Sequence, residues 1–597
     1  MSDQPKQPSL EKYFSGSAQN DNFFDQLPVG SRNNPQISAM MSSMIESKST
    51  QDLFASSQSS PSISTKMGEL NLDTSEPEIS ACKIFANESK VQNSSFFDMI
   101  SPSGSDTVDG FQSDPTDVGS SGSIFSYDIN NEGPYPSPLQ GFEDMSEIFN
   151  GAECDRTREA WIPSDATRRA LIMAATSPPG MYAADKDILT MPGVLLEEEM
   201  VDSVGQLMRQ LYGESEAANR KVLTMSDVSE DEMGLRELIQ CECYRAAVNL
   251  TGKLLAIFGQ GLKKQGQPSK HSVKSIQIWF TRFCLLVKLQ DFQTADMEST
   301  IWWDLDKPDL YYQFYPERYG GKLGTMVPFQ MRILIANIPA YLQKYSLALS
   351  RLYSILAVVR QILTNLENGK TEDGSLIELS SKERHIAKQL WASREARVQH
   401  SIVNVALMSK NYVLAIEVLQ NLIKNNYSVN QKRALHSALG RVFLQLGDVG
   451  NAEICFNMAK KLKRGQTGTL NSNVADIREL IDKGLVSVAQ NYYQDAYEYF
   501  HKASLLEPSN VMVLNNMAVC LFYTGKLRKA LEVLNSTIHA NPSLALHEAL
   551  LLNLCTLYEL ESSHIGQKEA LLKQVAKYKG DGINISCLKL QPQPANK

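Results

Sequence analysis

Gly484-Leu-Val-Ser-Val-Ala-Gln-Asn-Tyr-Tyr-Gln-Asp-Ala496-Tyr-Glu-Tyr-Phe500-His-Lys-Ala503-Ser-Leu-Leu-Glu-Pro508 sets a frame that the chain repeats. Thirty-four residues on, Ala518-Val-Cys-Leu-Phe-Tyr-Thr-Gly525-Lys-Leu-Arg-Lys-Ala530-Leu-Glu-Val-Leu534-Asn-Ser-Thr-Ile-His-Ala-Asn-Pro542 returns to it. Small residues stand at Gly484 and Ala518, and again at Ala496 and Ala530. Phe500 and Leu534 share one position, Pro508 and Pro542 another. Each unit predicts two antiparallel helices. Small residues lie where the two cross, because a larger side chain would hold the helices apart. Phe500 and Leu534 fill the space behind the crossing. Pro508 and Pro542 follow the second helix, which a proline cannot continue. Gly525 marks the turn inside the second pair.

A helix–turn–helix period of this length is that of the tetratricopeptide repeat. Upstream, Leu439-Gly440, Phe443, Gly447, Ala452, Phe456 and Ala459 match another unit. Its closing proline is missing, and Arg464-Gly-Gln-Thr-Gly468 stretches the loop instead. Ala415 marks a weaker unit. Leu546 to Leu560 and Lys568 to Lys577 read as a degenerate closing pair, since the end of a solenoid has no neighbour to cover it. The repeat-packing positions are therefore Gly440, Ala452, Gly484, Ala496, Pro508, Ala518, Ala530 and Pro542. They specify packing and carry no chemistry.

The same alternation of helices extends towards the N-terminus in less regular form. Trp161-Ile-Pro-Ser164 opens the ordered part, with Ser164 placed to cap a helix. Pro178-Pro179-Gly180 breaks it, and Leu195 to Leu211 is predicted helical. Leu235 to Gln240 pairs with Tyr244 to Ile257, and Gly259 to His271 links onward. Trp279, Leu286 and Ala295 fall on the repeat frame, with Gln290-Asp-Phe292 at a turn. Met331 to Leu342 pairs with Ser346 to Leu363 around Ala348. Asn368 to Gly374 is a loop, and a long helix runs from Ser381 to Met408. No stretch sustains the period-two alternation of strands. The predicted fold is all-α: a tetratricopeptide-type solenoid of antiparallel helix pairs behind a long disordered N-terminal region. Residues 156–375 form its degenerate part, 376–580 the repeat domain and 581–597 a C-terminal tail. Residues 301–329 are an aromatic insertion holding Trp302-Trp303 and Tyr311-Tyr-Gln-Phe-Tyr315. The two open readings are a packed loop and a partner-binding surface.

Residues 1–155 are rich in Ser, Asp, Asn, Gly and Pro, and no Lys or Arg falls between Lys90 and Arg156. Such an acidic segment cannot bury enough apolar surface to offset its ordering entropy. Aromatic residues recur inside acidic clusters there. Phe23 and Phe24 stand in Asn22-Phe-Phe-Asp-Gln-Leu27, and Phe96 and Phe97 in Ser95-Phe-Phe-Asp-Met-Ile100. They read either as docking peptides or as residual hydrophobicity with no partner. Ser60, Ser101 and Ser137 each precede a proline and are candidate phosphorylation sites.

Composition narrows the function. A net charge of −9 over 597 residues makes nucleic acid an improbable partner. The nine cysteines contain no CxxC pair, and those on apolar helix faces read as buried thiols. The chain opens without an apolar leader and has no apolar run near the length of a membrane span, so any membrane contact is expected to be indirect. No P-loop, nucleophile elbow, HExxH or dinucleotide fingerprint occurs. His436, His501, His539 and His547 fall on predicted helices without ligand-spaced partners. No catalytic, metal or cofactor-binding residue is expected. A co-chaperone clamp needs cations along the first helices. Those positions instead hold Ser437, Arg441, Ile481, Leu485, Asn515, Asn516, Val519, Leu546 and Leu550, a rather apolar set with a single cation.

Several separate stretches resemble one family. They are Trp161-Ile-Pro-Ser-Asp-Ala-Thr-Arg-Arg-Ala170, Thr176-Ser-Pro-Pro-Gly180, Leu189-Thr-Met-Pro-Gly193, Gly234-Leu-Arg-Glu-Leu238, Tyr244-Arg-Ala-Ala-Val248, Pro308-Asp-Leu-Tyr-Tyr312 and Met326-Val-Pro-Phe329. The chain from about residue 156 onward is similar to the subunit-twelve family of the TRAPP (transport protein particle) complex. The resemblance implies a non-catalytic scaffold in a TRAPPIII-like tether acting in endoplasmic reticulum to Golgi transport, Golgi organisation and autophagy. It implies the large subunits eight and eleven as partners, and through them the core and a Rab GTPase. It places the protein in the cytoplasm, the intermediate compartment and the Golgi periphery. The alternatives are an adaptor in mitotic kinetochore assembly, with a nuclear or kinetochore location, and a co-chaperone.

Overall fold

A computed structural model describes residues 157–590, except 158, 178–181, 183, 378, 426, 428, 467–475 and 562–564, and two upstream dipeptides, Gln26–Leu27 and Ile84–Phe85. The disorder and phosphorylation expected of residues 1–155, and Phe23, Phe24, Phe96 and Phe97, lie outside the described residues.

Among the described residues 157–590 the chain is all-α, built of consecutive antiparallel helix pairs. Two helices come first, α1 (Asp165–Thr176) and α2 (Ser203–Tyr212). Ser164 caps α1 as its sequence position implied. The helix expected from Leu195 starts later, because Asp202 caps α2 through the N–H groups of Val204 and Gly205. Seven pairs follow: α3 (Glu232–Gln240) and α4 (Tyr244–Ile257), α5 (Val273–Lys288) and α6 (Phe292–Ser299), α7 (Phe329–Tyr341) and α8 (Tyr345–Glu367), α9 (Ser381–Met408) and α10 (Tyr412–Lys424), α11 (Val429–Gln445) and α12 (Val449–Gln466), α13 (Ile477–Ala489) and α14 (Tyr493–Leu506), α15 (Val511–Tyr523) and α16 (Leu527–Ala540). Helices α17 (Glu548–Glu559) and α18 (Ile565–Tyr578) close the array.

All seven pairs turn in one way. Glu242, Gln290, Gln343, Lys410, Gly447, Asn491 and Gly525 hold the left-handed conformation, with φ between 57° and 79°. The next residue donates its N–H to the carbonyl five residues back in every pair. The bonds are Cys243 to Leu238, Asp291 to Leu286, Lys344 to Pro339, Asn411 to Ala406, Asp448 to Phe443, Tyr492 to Ser487 and Lys526 to Leu521, at 2.7–3.0 Å. This is the Schellman closure of a helix. The irregular N-terminal pairs thus share the geometry of the regular ones.

The core has two parts that meet in α9. Its Ala387, Trp391, Val398, Ile402 and Val405 join the N-terminal part, and its Ala396, Val403, Ala406 and Leu407 the C-terminal part. A boundary at 375/376 is therefore not a break in packing. Helix α2 also belongs to the C-terminal core, through Val204, Leu207 and Met208. The stretch from residue 581, expected as a tail, is folded in as far as Leu588, where Cys587 and Leu588 are buried. Helix α8 is long and apolar enough on average to cross a membrane, which the sequence reading did not find. Its Ala348, Leu352, Leu356, Val359, Ile362 and Leu366 pack into the core.

Candidate functional site

Two of the repeat-packing residues, Gly440 and Gly484, lie against an aromatic ring of the facing helix. Ala452, Ala496, Ala518 and Ala530 are fully buried. A Cβ at Gly440 would lie 2.5 Å from the Phe456 ring, and one at Gly484 would lie 2.8 Å from the Phe500 ring. Those contacts leave no room for a side chain, since core packing has little slack. Pro508 follows α14. Pro542 opens a four-residue helical turn, Pro542–Ala545, capped by Asn541.

The first helices of the C-terminal pairs are joined by polar groups. The Ser437 hydroxyl donates to Asp482 Oδ2 at 2.9 Å, and Arg441 Nη2 donates to Asp482 Oδ1 at 3.1 Å, tying α11 to α13. Asn553 Nδ2 donates to Asn515 Oδ1 at 2.9 Å, tying α17 to α15. All five side chains are buried, with Asn516 beside them. The first-helix face is thus more polar than the apolar groove read from the sequence. Its one cation is already paired with a carboxylate, so it cannot serve as a clamp for an anionic terminus.

A cavity of about 470 Å³ opens between α11–α12 and α13–α14, lined by Arg433, Phe456, Lys460, Glu479, Asp482 and Tyr499 among others. Several of its charges are paired. Arg433 meets Asp476 at 2.8 Å, and Glu479 accepts from both Lys460 and Lys483. Burial pushes the Glu479 carboxyl up, but the two ammonium groups outweigh it and hold the group below its usual range.

The aromatic insertion divides in two. Trp302 is fully buried, with its ring centroid 5.6 Å from that of Trp279 and 5.5 Å from that of His271. It belongs to the core and corrects its reading as a partner contact. Trp303 is 61% exposed. Tyr311 and Tyr312 are also buried, and a short hairpin of Met326 N–H to Leu310 and Tyr312 N–H to Gly324 pins the segment down.

One cluster has the residue types of a hydrolytic triad without its geometry. Thr190 Oγ1 lies 2.5 Å from His271 Nε2 and donates to Asp309 Oδ2 at 2.6 Å. The carboxylate faces that same ring nitrogen at 3.5 Å, so it cannot orient the imidazole from the far side as a relay requires. All three side chains are buried. Burial raises the Asp309 carboxyl, yet bonds from His271 and Thr190 bring it below the usual range. The cluster fastens residues 186–194 to the insertion. Sequence reasoning missed it, because the three residues are far apart in the chain.

Among the described residues no group of three His, Cys, Asp or Glu side chains could hold a metal ion. Cys455, Cys520 and Cys555 are buried free thiols, each pushed up to about 12 mainly by burial, which disfavours the reactive thiolate. His436, His501 and His539 lie on α11, α14 and α16, while His547 caps α17 by accepting from the Ala549 N–H.

A further set of contacts closes the array on itself. The Arg220 side chain is 2% exposed and pairs with Asp202 at 2.6 Å. It also donates to the carbonyls of Ala576, Lys579 and Gly580. Asp581 accepts from the N–H groups of Arg245 and Ala246 at the start of α4. Burial pushes that carboxyl up, and the nearby Asp202 adds to the rise. A Cβ at Gly580 would lie 2.3 Å from the Glu242 carbonyl oxygen. The C-terminal end is thereby clasped to the first helix pair.

No protein-family model matches the chain. It is 41% identical over 467 residues to "Trafficking protein particle complex subunit 12" of Mus musculus, covering 76% of this chain and 58% of that protein. It is 40% identical over 467 residues to the protein of the same name from Homo sapiens, covering 76% of this chain and 63% of that protein. The match thus spans about three fifths of the length of these curated relatives.

Proposed function

The chain belongs to the family of trafficking protein particle complex subunit 12 across the matched length, and on that premise we propose that it is a non-catalytic scaffold subunit of a TRAPPIII-like vesicle tether. The observation that carries this reading is the condition of its polar side chains. Ser437, Arg441, Asp482, Asn515 and Asn553 tie helix to helix, and the Thr190–His271–Asp309 cluster ties segment to segment. What such a solenoid offers is surface. Ile454, Met458, Leu505 and Leu506 are exposed on the second helices α12 and α14. Exposed apolar side chains of this kind are material for an interface with another large subunit.

In this reading the solenoid lies against subunits eight and eleven and reaches the core and its Rab GTPase through them. Nucleotide exchange stays with the core. The protein acts in transport from endoplasmic reticulum to Golgi, in Golgi organisation and in autophagy. It resides in the cytoplasm at the intermediate compartment and Golgi periphery, with indirect membrane contact. Depleting the chain from cells and timing the arrival of a secretory cargo at the Golgi tests this. Arrival slows, re-expression of the full chain restores it, and Ala530→Glu does not. Unchanged arrival after depletion would overturn the reading.

A further inference from the structure

One contact is not part of the solenoid's own packing. The dipeptide Ile84–Phe85, from far upstream, lies alongside the first helix α15. It pairs antiparallel with Gln26–Leu27, Gln26 opposite Phe85 and Leu27 opposite Ile84. Helix α15 carries Asn515 and Asn516, which are 1% and 0% exposed although they stand on the first-helix face. An extended strand has two hydrogen-bonding edges. Gln26–Leu27 takes one edge of Ile84–Phe85.

The sequence around the dipeptide fits this role. Ala81-Cys-Lys-Ile-Phe-Ala86 is a compact apolar run inside a Ser- and Asp-rich region. Ile and Phe are strand-favouring residues. About seventy residues separate Phe85 from Thr157, and a flexible chain of that length spans about 40–50 Å. That reach allows return to a groove on the same molecule. Tethering at that length keeps the segment at an effective concentration on the order of millimolar.

We propose that the Ile84–Phe85 segment is an intramolecular ligand of the first-helix groove. It occupies the surface on Val511–Tyr523 that otherwise receives an extended peptide from a partner. A partner segment of the same chemistry, an extended apolar dipeptide, must displace it in order to bind.

Full-length protein carrying Ile84→Asp and Phe85→Asp together tests this without altering the solenoid. Hydrogen exchange comes first. In the wild-type protein the amides of residues 83–86 exchange about tenfold or more slowly relative to those of residues 100–150, and the double variant loses that protection. Next, a fluorescent peptide spanning residues 78–91 is titrated into both proteins. It binds the double variant about tenfold or more tightly than the wild type, because the groove has been vacated. Equal exchange of the two stretches in the wild type overturns the proposal, and so does equal peptide affinity for the two proteins. Protection that disappears on dilution would place a second copy in the groove and overturn the intramolecular form.

Discussion

The core of the C-terminal pairs buries the small residues Ala452, Ala496, Ala518 and Ala530, whereas the N-terminal core holds Trp161, Trp279, Trp302 and Trp391. The turns are alike in both. Small residues let second helices sit close to first helices, so the spacing repeats and the sequence shows a period. Large aromatic residues add bulk to the N-terminal core. Trp302 from the insertion packs on Trp279 of α5, and Arg332 of α7 lies 4.0 Å over the Trp161 ring. One turn geometry can therefore support a regular solenoid or an irregular one, according to what fills the space between the helices.

The sharpest break of this contrast is Ala530→Glu. A buried carboxylate with no partner at a helix crossing costs at least ~4 kcal/mol. The C-terminal half should lose its cooperative thermal transition. Trp302→Ala attacks the other half and should cost about 3–5 kcal/mol by leaving a large cavity. Trp303→Ala, next to it but mostly exposed, should shift stability by less than about 0.5 kcal/mol. Denaturant titration of the two variants compares them directly, and similar losses would contradict the division of the insertion into buried and exposed parts. The clasp between the ends is tested by Arg220→Met. Losing the guanidinium removes its pairing with the partly exposed Asp202 and its bonds to three carbonyls, and costs about 1–3 kcal/mol. Amides of residues 576–588 should then exchange faster while those of α11 and α12 do not change.

A pH-dependent effect lies on α9, where the halves meet. Burial drives His400 down to about 3, with Arg397 adding to the shift. The unfolded chain takes up a proton near pH 6.5, but the folded protein does not until far lower. Stability is therefore complete above about pH 6.5 and is lost as pH falls towards 3. The loss reaches about 2 kcal/mol at pH 5. Melting curves at pH 7.5 and pH 5 measure it. In His400→Gln the part of the difference due to this group should vanish, even if the variant is less stable at both values.

The all-α class and the pairing of helices were legible because Ala and Gly at crossings recur at a fixed interval. The N-terminal pairs were legible only in outline. Their turns use Glu242, Gln290, Gln343 and Lys410 in the left-handed conformation in place of glycine, so the usual signal of a helix end is missing. An aromatic residue two positions later, at Tyr244, Phe292, Tyr345 and Tyr412, was the available cue. The role of Trp302 was ambiguous from sequence, because an aromatic pair reads the same whether it is buried or exposed. The polar ties between first helices could not be read, since Ser437 and Asp482, or Asn515 and Asn553, meet only after successive pairs have stacked. The clasp was equally hidden. Nothing local in Arg220 or Asp581 announces a partner more than three hundred positions away.

Gradient sedimentation of the tagged full chain, beside a version lacking residues 1–155, tests the central claim most directly. Both should travel with a particle much heavier than the free chain, together with other subunits of the trafficking particle, because assembly runs through the solenoid. Migration of the full chain at its own mass, or loss of the truncated chain from the particle, would contradict a scaffold held by its helical repeats.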